Sequence, residues 1–247
     1  EIDEAGSTAT SLLLQPSQER STQATVPASL VADVIAIRPH LRLADLFPTT
    51  TYHATGSSST ADQILLWDST TNGYLTFWLA SFLGQHWHQL GVASLTATED
   101  SRVISPAEGV FVRPRAIPAN AFASGQLRTW KFAMSVRLGT NFISNPFPLA
   151  QSPVDRTMTV AGGFTGKTSA SSSDRIYFWA GDTDAAATGY TTYQLFKAGQ
   201  TEIWKDVGST DLSTNMGLQK LFLNSRAGFI NSIKGKADWM IPAPAVP

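Results

Sequence analysis

The sequence predicts an all-β protein: two degenerate copies of one β meander, forming a sandwich or a barrel-like pair, behind an extended N-terminal arm. Three observations predict it. Short runs rich in Val, Ile, Thr and aromatic residues recur along the chain with turn clusters between them. Helical periodicity is confined to a turn or two, at Ala80–Gly84 and Thr214–Leu221. A set of landmarks recurs in the same order in the two halves.

The chain has 247 residues, enough for one large β domain or two small ones. Residues 1–29 are polar and interrupted by Pro16 and Pro27, with one apolar patch at Leu12, Leu13 and Leu14. They read as an extended arm, and the three leucines as candidate assembly residues. The first repeat is placed at 30–120 and the second at 121–240. Residues 241–247, IPAPAVP, read as a Pro-rich tail.

Strands are predicted at Val34–Ile37, Ile64–Trp67, Tyr74–Leu79, Val110–Arg113, Thr129–Val136, Asn141–Ser144, Arg175–Trp179, Tyr190–Phe196, Leu221–Leu223 and Gly228–Ile230. Asn72-Gly73 is a type I′ hairpin signal. The matching hairpin of the second copy carries an insertion, Gly181–Gly189.

The repeat is read from four landmarks. Ser59–Trp67 matches Ser171–Trp179 at an offset of 112, with Ser, Asp, Ile and Trp in common. Gly73–Phe77 matches Gly189–Tyr193, Trp87 matches Trp204, and Ala107–Phe111 loosely matches Arg226–Ile230. Phe147-Pro148 is a candidate counterpart of Phe47-Pro48, and Pro146 of Pro39. The repeated Asp62, Trp67, Tyr74, Trp87, Asp174, Trp179, Tyr190 and Trp204 are expected to be core landmarks, with Trp67 and Trp179 in the interior. Alternation along Asp174–Trp179 puts large apolar groups on both faces, so that strand is expected to be covered on both sides.

These landmarks, with Asn141–Pro148 (NFISNPFP) and Ile104–Arg113 (ISPAEGVFVR), resemble a family of uncharacterised secreted β-rich proteins. The family occurs in large paralogous sets in some environmental Gram-negative bacteria. The resemblance covers about residues 60–230. It implies export and a β fold, and it carries no catalytic residue. Leu223–Asn231 departs from the last motif by lacking its proline and glutamate.

Composition narrows the function. Charged residues make up 15% of the chain, below the usual share of about 25%, and Ser, Thr, Ala and Gly take their place. Such a surface costs less to desolvate on contact with another protein. A net charge of −1 gives no attraction for nucleic acid. No apolar run reaches the length of a membrane span. The absence of cysteine excludes disulfides and thiolate catalysis. A chain beginning EIDEAGST reads as a mature form after removal of a leader, so a secreted, extracellular or cell-surface location is expected.

No constellation compels an active site, and no catalytic, cofactor or metal residue is assigned. His86-x-His88 has metal-ligand spacing, but Trp87 between them explains the strand without metal. Asp182-x-Asp184 begins like a calcium loop and lacks the later acidic ligand, although Asp206 or Asp211 could approach it. Glu99, Asp100, Glu108 and Asp62 are more simply partners of Arg102, Arg113 or Arg115 than a glycosidase pair. Trp78, Trp130 and Trp239 lie outside the repeat and are the better candidates for an exposed, sugar-stacking role, although packing in a core or interface is the simpler reading of the tryptophans. The reading is a secreted, non-enzymatic structural protein whose partner is itself, a self-assembling subunit of a filament, sheath or surface layer. A carbohydrate-binding or adhesive module, with polysaccharide as partner, is the alternative; a viral coat or appendage protein is the third.

Overall fold

The computed structural model describes residues 41–105, 107–115, 131–180, 189–223 and 227–244. The predicted arm 1–29, the strand at Val34–Ile37, Trp130 and the Asp182-x-Asp184 pair lie outside the described residues.

The elements in chain order are β1 (Leu41–Arg42), α1 (Leu43–Leu46), β2 (Gln63–Asp68), β3 (Gly73–Ala80), β4 (His86–Gln89), β5 (Val103–Ile104) and β6 (Val110–Arg113). They continue with β7 (Phe132–Val136), β8 (Gly139–Ser144), β9 (Arg175–Trp179), β10 (Tyr190–Ala198), β11 (Thr201–Asp206), β12 (Ala227–Ser232) and β13 (Lys236–Ile241). Every strand pairing is antiparallel. The protein is all-β, as its sequence predicts, and among the described residues none of its sheets closes into a barrel.

Two sheets carry the fold. Sheet 1 has the order β4-β3-β2-β6, and sheet 2 the order β11-β10-β9-β12-β8. The first four positions correspond strand for strand. Trp67 pairs with Tyr74 as Trp179 pairs with Tyr190, and Leu79 with Trp87 as Leu195 with Trp204. Leu65 pairs with Phe111 as Tyr177 pairs with Phe229. That register corrects the last landmark by one residue: Phe111 answers to Phe229, not to Ile230. In a strand, one residue exchanges the two faces, so the correction decides which side chains face the core.

The correspondence extends to the loops. Asp62 is fully buried and accepts the backbone N–H of His53 (2.8 Å) and of Arg115 (2.6 Å). Asp174 is buried and accepts those of Thr165 (2.8 Å) and Ile233 (2.6 Å). Trp87 donates its indole N–H to the Phe47 carbonyl and Trp204 donates to that of Met158. The backbone N–H of Trp87 goes to Asp100, and that of Trp204 to Asn215. The turn entering each copy is closed by an aspartate three residues on, Asp45 to Arg42 N–H and Asp155 to Ser152 N–H. Phe47 therefore corresponds to Met158, and the suggested match of Phe47-Pro48 with Phe147-Pro148 does not hold.

Alternation gives each sheet one core face. In sheet 1, Ile64, Leu66, Phe77, Leu79 and Trp87 pack with Leu43, Tyr52 and Ile104. In sheet 2, Ile143, Ile176, Phe178, Tyr193, Leu195, Trp204 and Ile230 pack under a β7–β13 ribbon that contributes Val136, Trp239 and Ile241. The ribbon has no counterpart over sheet 1 among the described residues. Asn72 takes a left-handed φ of 49°, but the hairpin loop spans residues 69–72 rather than Asn72-Gly73 alone. Asp68 holds that loop through Thr70 and Thr71.

Candidate functional site: the aromatic seam and an open edge

The second face of each sheet meets the other copy through rings. Phe111 of sheet 1 stacks on Phe142 of sheet 2 with centroids 4.4 Å apart and planes 5° from parallel. Phe142 packs on Phe229 at 4.7 Å, and Trp67 meets Phe229 edge-on at 5.3 Å. Trp67 also crosses the seam with its indole N–H, which donates to the Thr140 carbonyl at 2.8 Å. Phe111 and its counterpart Phe229 face each other at 6.4 Å. A contact between equivalent residues is the mark of an isologous interface, here enclosed in one chain.

Gly109 is required at this seam. A Cβ there would lie 2.4 Å from the Phe142 ring, so any other residue displaces the stack. Its N–H donates to the Phe142 carbonyl, while Ser144 donates to the carbonyl of Ala107. Residues 107–109 thereby cover the side of β8 that faces away from β12.

The rim of the seam is where the landmarks part company. Asp62, Asp174, Trp87 and Trp204 are buried as expected. Trp179 keeps 40% of its surface exposed, Tyr190 46% and Tyr74 40%, and Trp67 is half-buried. The placement of Trp67, Tyr74, Trp179 and Tyr190 in the core is therefore corrected. They stand on the outward face of their strands, and each Trp packs edge-on against its paired Tyr, at 5.0 Å in sheet 1 and 5.3 Å in sheet 2. The strand Arg175–Trp179 is accordingly buried on one face and only partly covered on the other. Burial pushes the Tyr74 hydroxyl up to about 12, with the Tyr190 hydroxyl adding to the shift.

Two of the three candidates for a surface role, Trp78 and Trp239, are inside. Trp78 is buried against Phe82 and His88, and Trp239 is fully buried, donating to the Arg156 carbonyl at 2.7 Å. Arg156 itself is buried, with its guanidinium 4.0 Å from the Phe222 ring centre and 5.0 Å from that of Trp239. Burial draws its pKa down to about 9.

The remaining candidates have local partners. His88 lies between the carbonyls of Ala97 and Val92, and His86 faces that of Gly84. Among the described residues no group of three or more His, Cys, Asp or Glu is placed to hold a metal ion. Glu99 pairs with Arg102 at 3.8 Å, and Asp211 turns back on Ser213. Glu108 accepts the Ser105 N–H, and burial raises its pKa. No described helix is long and apolar enough to cross a membrane.

The second feature of the site is a strand with one neighbour among the described residues. In sheet 2, β12 lies between β9 and β8. In sheet 1, β6 pairs with β2 and ends the sheet among the described residues. Val112 on that edge is 43% exposed. An unpaired edge is a template for another strand. Comparison of the chain with protein-family models, with curated proteins and with solved structures finds no match to any of them.

Proposed function

We propose that this protein is a structural subunit of the cell exterior that assembles with copies of itself by strand addition at sheet edges. The observation that carries the reading is that, among the described residues, β6 ends its sheet where its counterpart β12 holds β8. Main-chain pairing at such an edge supplies affinity and registry, while side chains of the added strand supply specificity. The sparsely charged, hydroxyl-rich composition lowers the cost of that contact. Secretion and a filament, sheath or surface-layer product belong to the same proposal, as does a role for Leu12, Leu13 and Leu14 in extending the contact. A contact that does not close on itself propagates as a polymer. The test is light scattering and negative-stain microscopy of the purified full chain over a range of concentrations. Particles that grow with concentration support the reading; a monomer at all concentrations defeats it.

A second reading rests on a separate observation, the exposed rim of Trp179, Tyr190 and Tyr74. Aromatic faces beside hydroxyls suit the apolar faces of sugar rings. Polysaccharide pull-down with the full chain and with Trp179→Ala tests it, and equal retention of both removes it.

A further inference from the structure

Arg156 is fully enclosed against the β7–β13 ribbon, and none of its guanidinium nitrogens has a hydrogen-bond partner among the described residues. A guanidinium carries five N–H donors and no acceptor. Burial is the only cause of its lowered pKa, and a value of about 9 leaves it protonated at neutral pH. No carboxylate among the described residues offsets the charge. Its neighbour Asp155 is committed to the Ser152 N–H and to Lys220. The rings of Phe222 and Trp239 lie against the ion, at 4.0 and 5.0 Å from their centres. Ring faces attract the charge, but the N–H groups in the plane of the guanidinium still need acceptors.

The meander itself does not require this cation. Asp45 and Asp155 close equivalent turns, so Arg156 stands where the first copy has Leu46, which packs on the core of sheet 1. The second copy carries one more residue before Met158, and that residue, Thr157, takes a left-handed φ of 58°. The loop is fastened to β13 at two points. The Arg156 carbonyl accepts the Trp239 indole N–H at 2.7 Å, and the Thr157 hydroxyl lies 3.1 Å from the Met240 carbonyl. The charged residue, the extra residue and the ribbon thus occur together in one copy, and in the other copy the equivalent position is apolar.

The chemistry that would satisfy the site is narrow. Its acceptor bears one negative charge, since one cation is to be balanced and a second charge would be buried without a partner. Two oxygens in one plane match the guanidinium fork. The acceptor is also small, because the side chain is fully enclosed. We propose that Arg156 binds a small monocarboxylate ion, of the size of formate or acetate, between the loop 152–157 and the β7–β13 ribbon. The second copy then closes around a ligand, and the first does not. The site is independent of the assembly reading above.

The test uses the full chain with formate as the probe. Sodium formate replaces sodium chloride at constant ionic strength, and stability is read from urea denaturation, which lets the enclosed site equilibrate. A ligand bound only by the folded state raises the folding constant in proportion to its concentration above saturation. The parent is expected to gain about tenfold in folding constant for each tenfold rise in formate in that range. Arg156→Leu, which restores the residue of the first copy, is expected to change less than about twofold, since only general salt effects remain. A parent that does not respond overturns the proposal, as does a variant that responds as the parent does. A second measurement needs no variant. The parent is refolded in carbon-13 formate, and a bound resonance displaced from the free ion by the Phe222 and Trp239 rings is expected. A single resonance at the free position overturns the proposal.

Discussion

Sheets 1 and 2 share their strand order, their register and the side chains that latch their loops, yet they are not equally complete. Sheet 2 has a fifth strand, β8, and lies beneath the β7–β13 ribbon; sheet 1 has neither among the described residues. The shared features are those that a meander needs to close on itself. Each sheet has a buried aspartate gathering two backbone amides and a buried indole anchored on a carbonyl. The features that differ among the described residues are the fifth strand at the edge of sheet 2 and the ribbon over its core face. Equivalence of sequence therefore marks how each copy is built and how the two meet at the seam.

The strongest way to break this comparison is to remove the anchored indoles. Trp87→Ala and Trp204→Ala should each cost about 3–5 kcal/mol in chemical denaturation, because both side chains are fully enclosed. A loss at one site and none at the other would end the equivalence of the two copies. Asp62→Ala and Asp174→Ala come next. Each leaves two backbone N–H groups without their acceptor, and each should cost roughly 2–4 kcal/mol. The Asn variants should fall between Ala and the parent, since an amide oxygen replaces one of the two acceptors.

The seam sharpens the contrast. Trp67→Ala should cost about 1–2 kcal/mol, since it loses the bond to Thr140 and the contact with Phe229. Trp179→Ala, at the exposed rim, should cost less than about 1 kcal/mol. Equal losses would show that the rim is buried in solution. The smallest effect is a dependence on pH. The Tyr74 pKa is raised in the fold from 10.0 to about 12, so its contribution to stability is fully present below pH 10.0 and is lost as the pH rises toward about 12. Tyr74→Phe should flatten the fall in stability over that interval, read from urea midpoints at successive pH values.

Much of the architecture was legible in the sequence. Arg175–Trp179 and Val110–Arg113 are strands with the predicted bounds, and Ile64–Trp67, Tyr74–Leu79, Asn141–Ser144 and Gly228–Ile230 lie inside observed strands. Each combines β-branched or aromatic residues with turn residues at its ends. Thr201–Asp206 and Lys236–Ile241 carry that signature diluted by charged residues, and they pair with β10 and β7. Leu221–Leu223 contributes a single bridge at Phe222.

The site was less legible. Recurrence of Trp67 and Trp179 suggested burial, but recurrence records an equivalent position in the meander and says nothing of the face on which that position lies. Trp78 and Trp239 lie outside the repeat and are nevertheless enclosed, Trp78 by the local Phe82–His88 cluster and Trp239 by the guanidinium and rings beneath the ribbon. That β6 ends its sheet among the described residues has no signature in its own sequence. It becomes visible only when β12 is seen holding β8.

The buried aspartates bear on how the chain reaches this structure. Asp62 joins a partner 9 residues away to one 53 residues away, and Asp174 does the same across 9 and 59. In each copy the near bond closes a small loop at modest entropic cost, and the far bond waits until the last strand of the meander arrives. Until then a carboxylate half-supplied with donors sits at the mouth of an unfinished core. Closure of each copy is therefore expected late in folding, as in a topology rich in distant contacts. A ribosome must release the whole of a copy before its latch can shut.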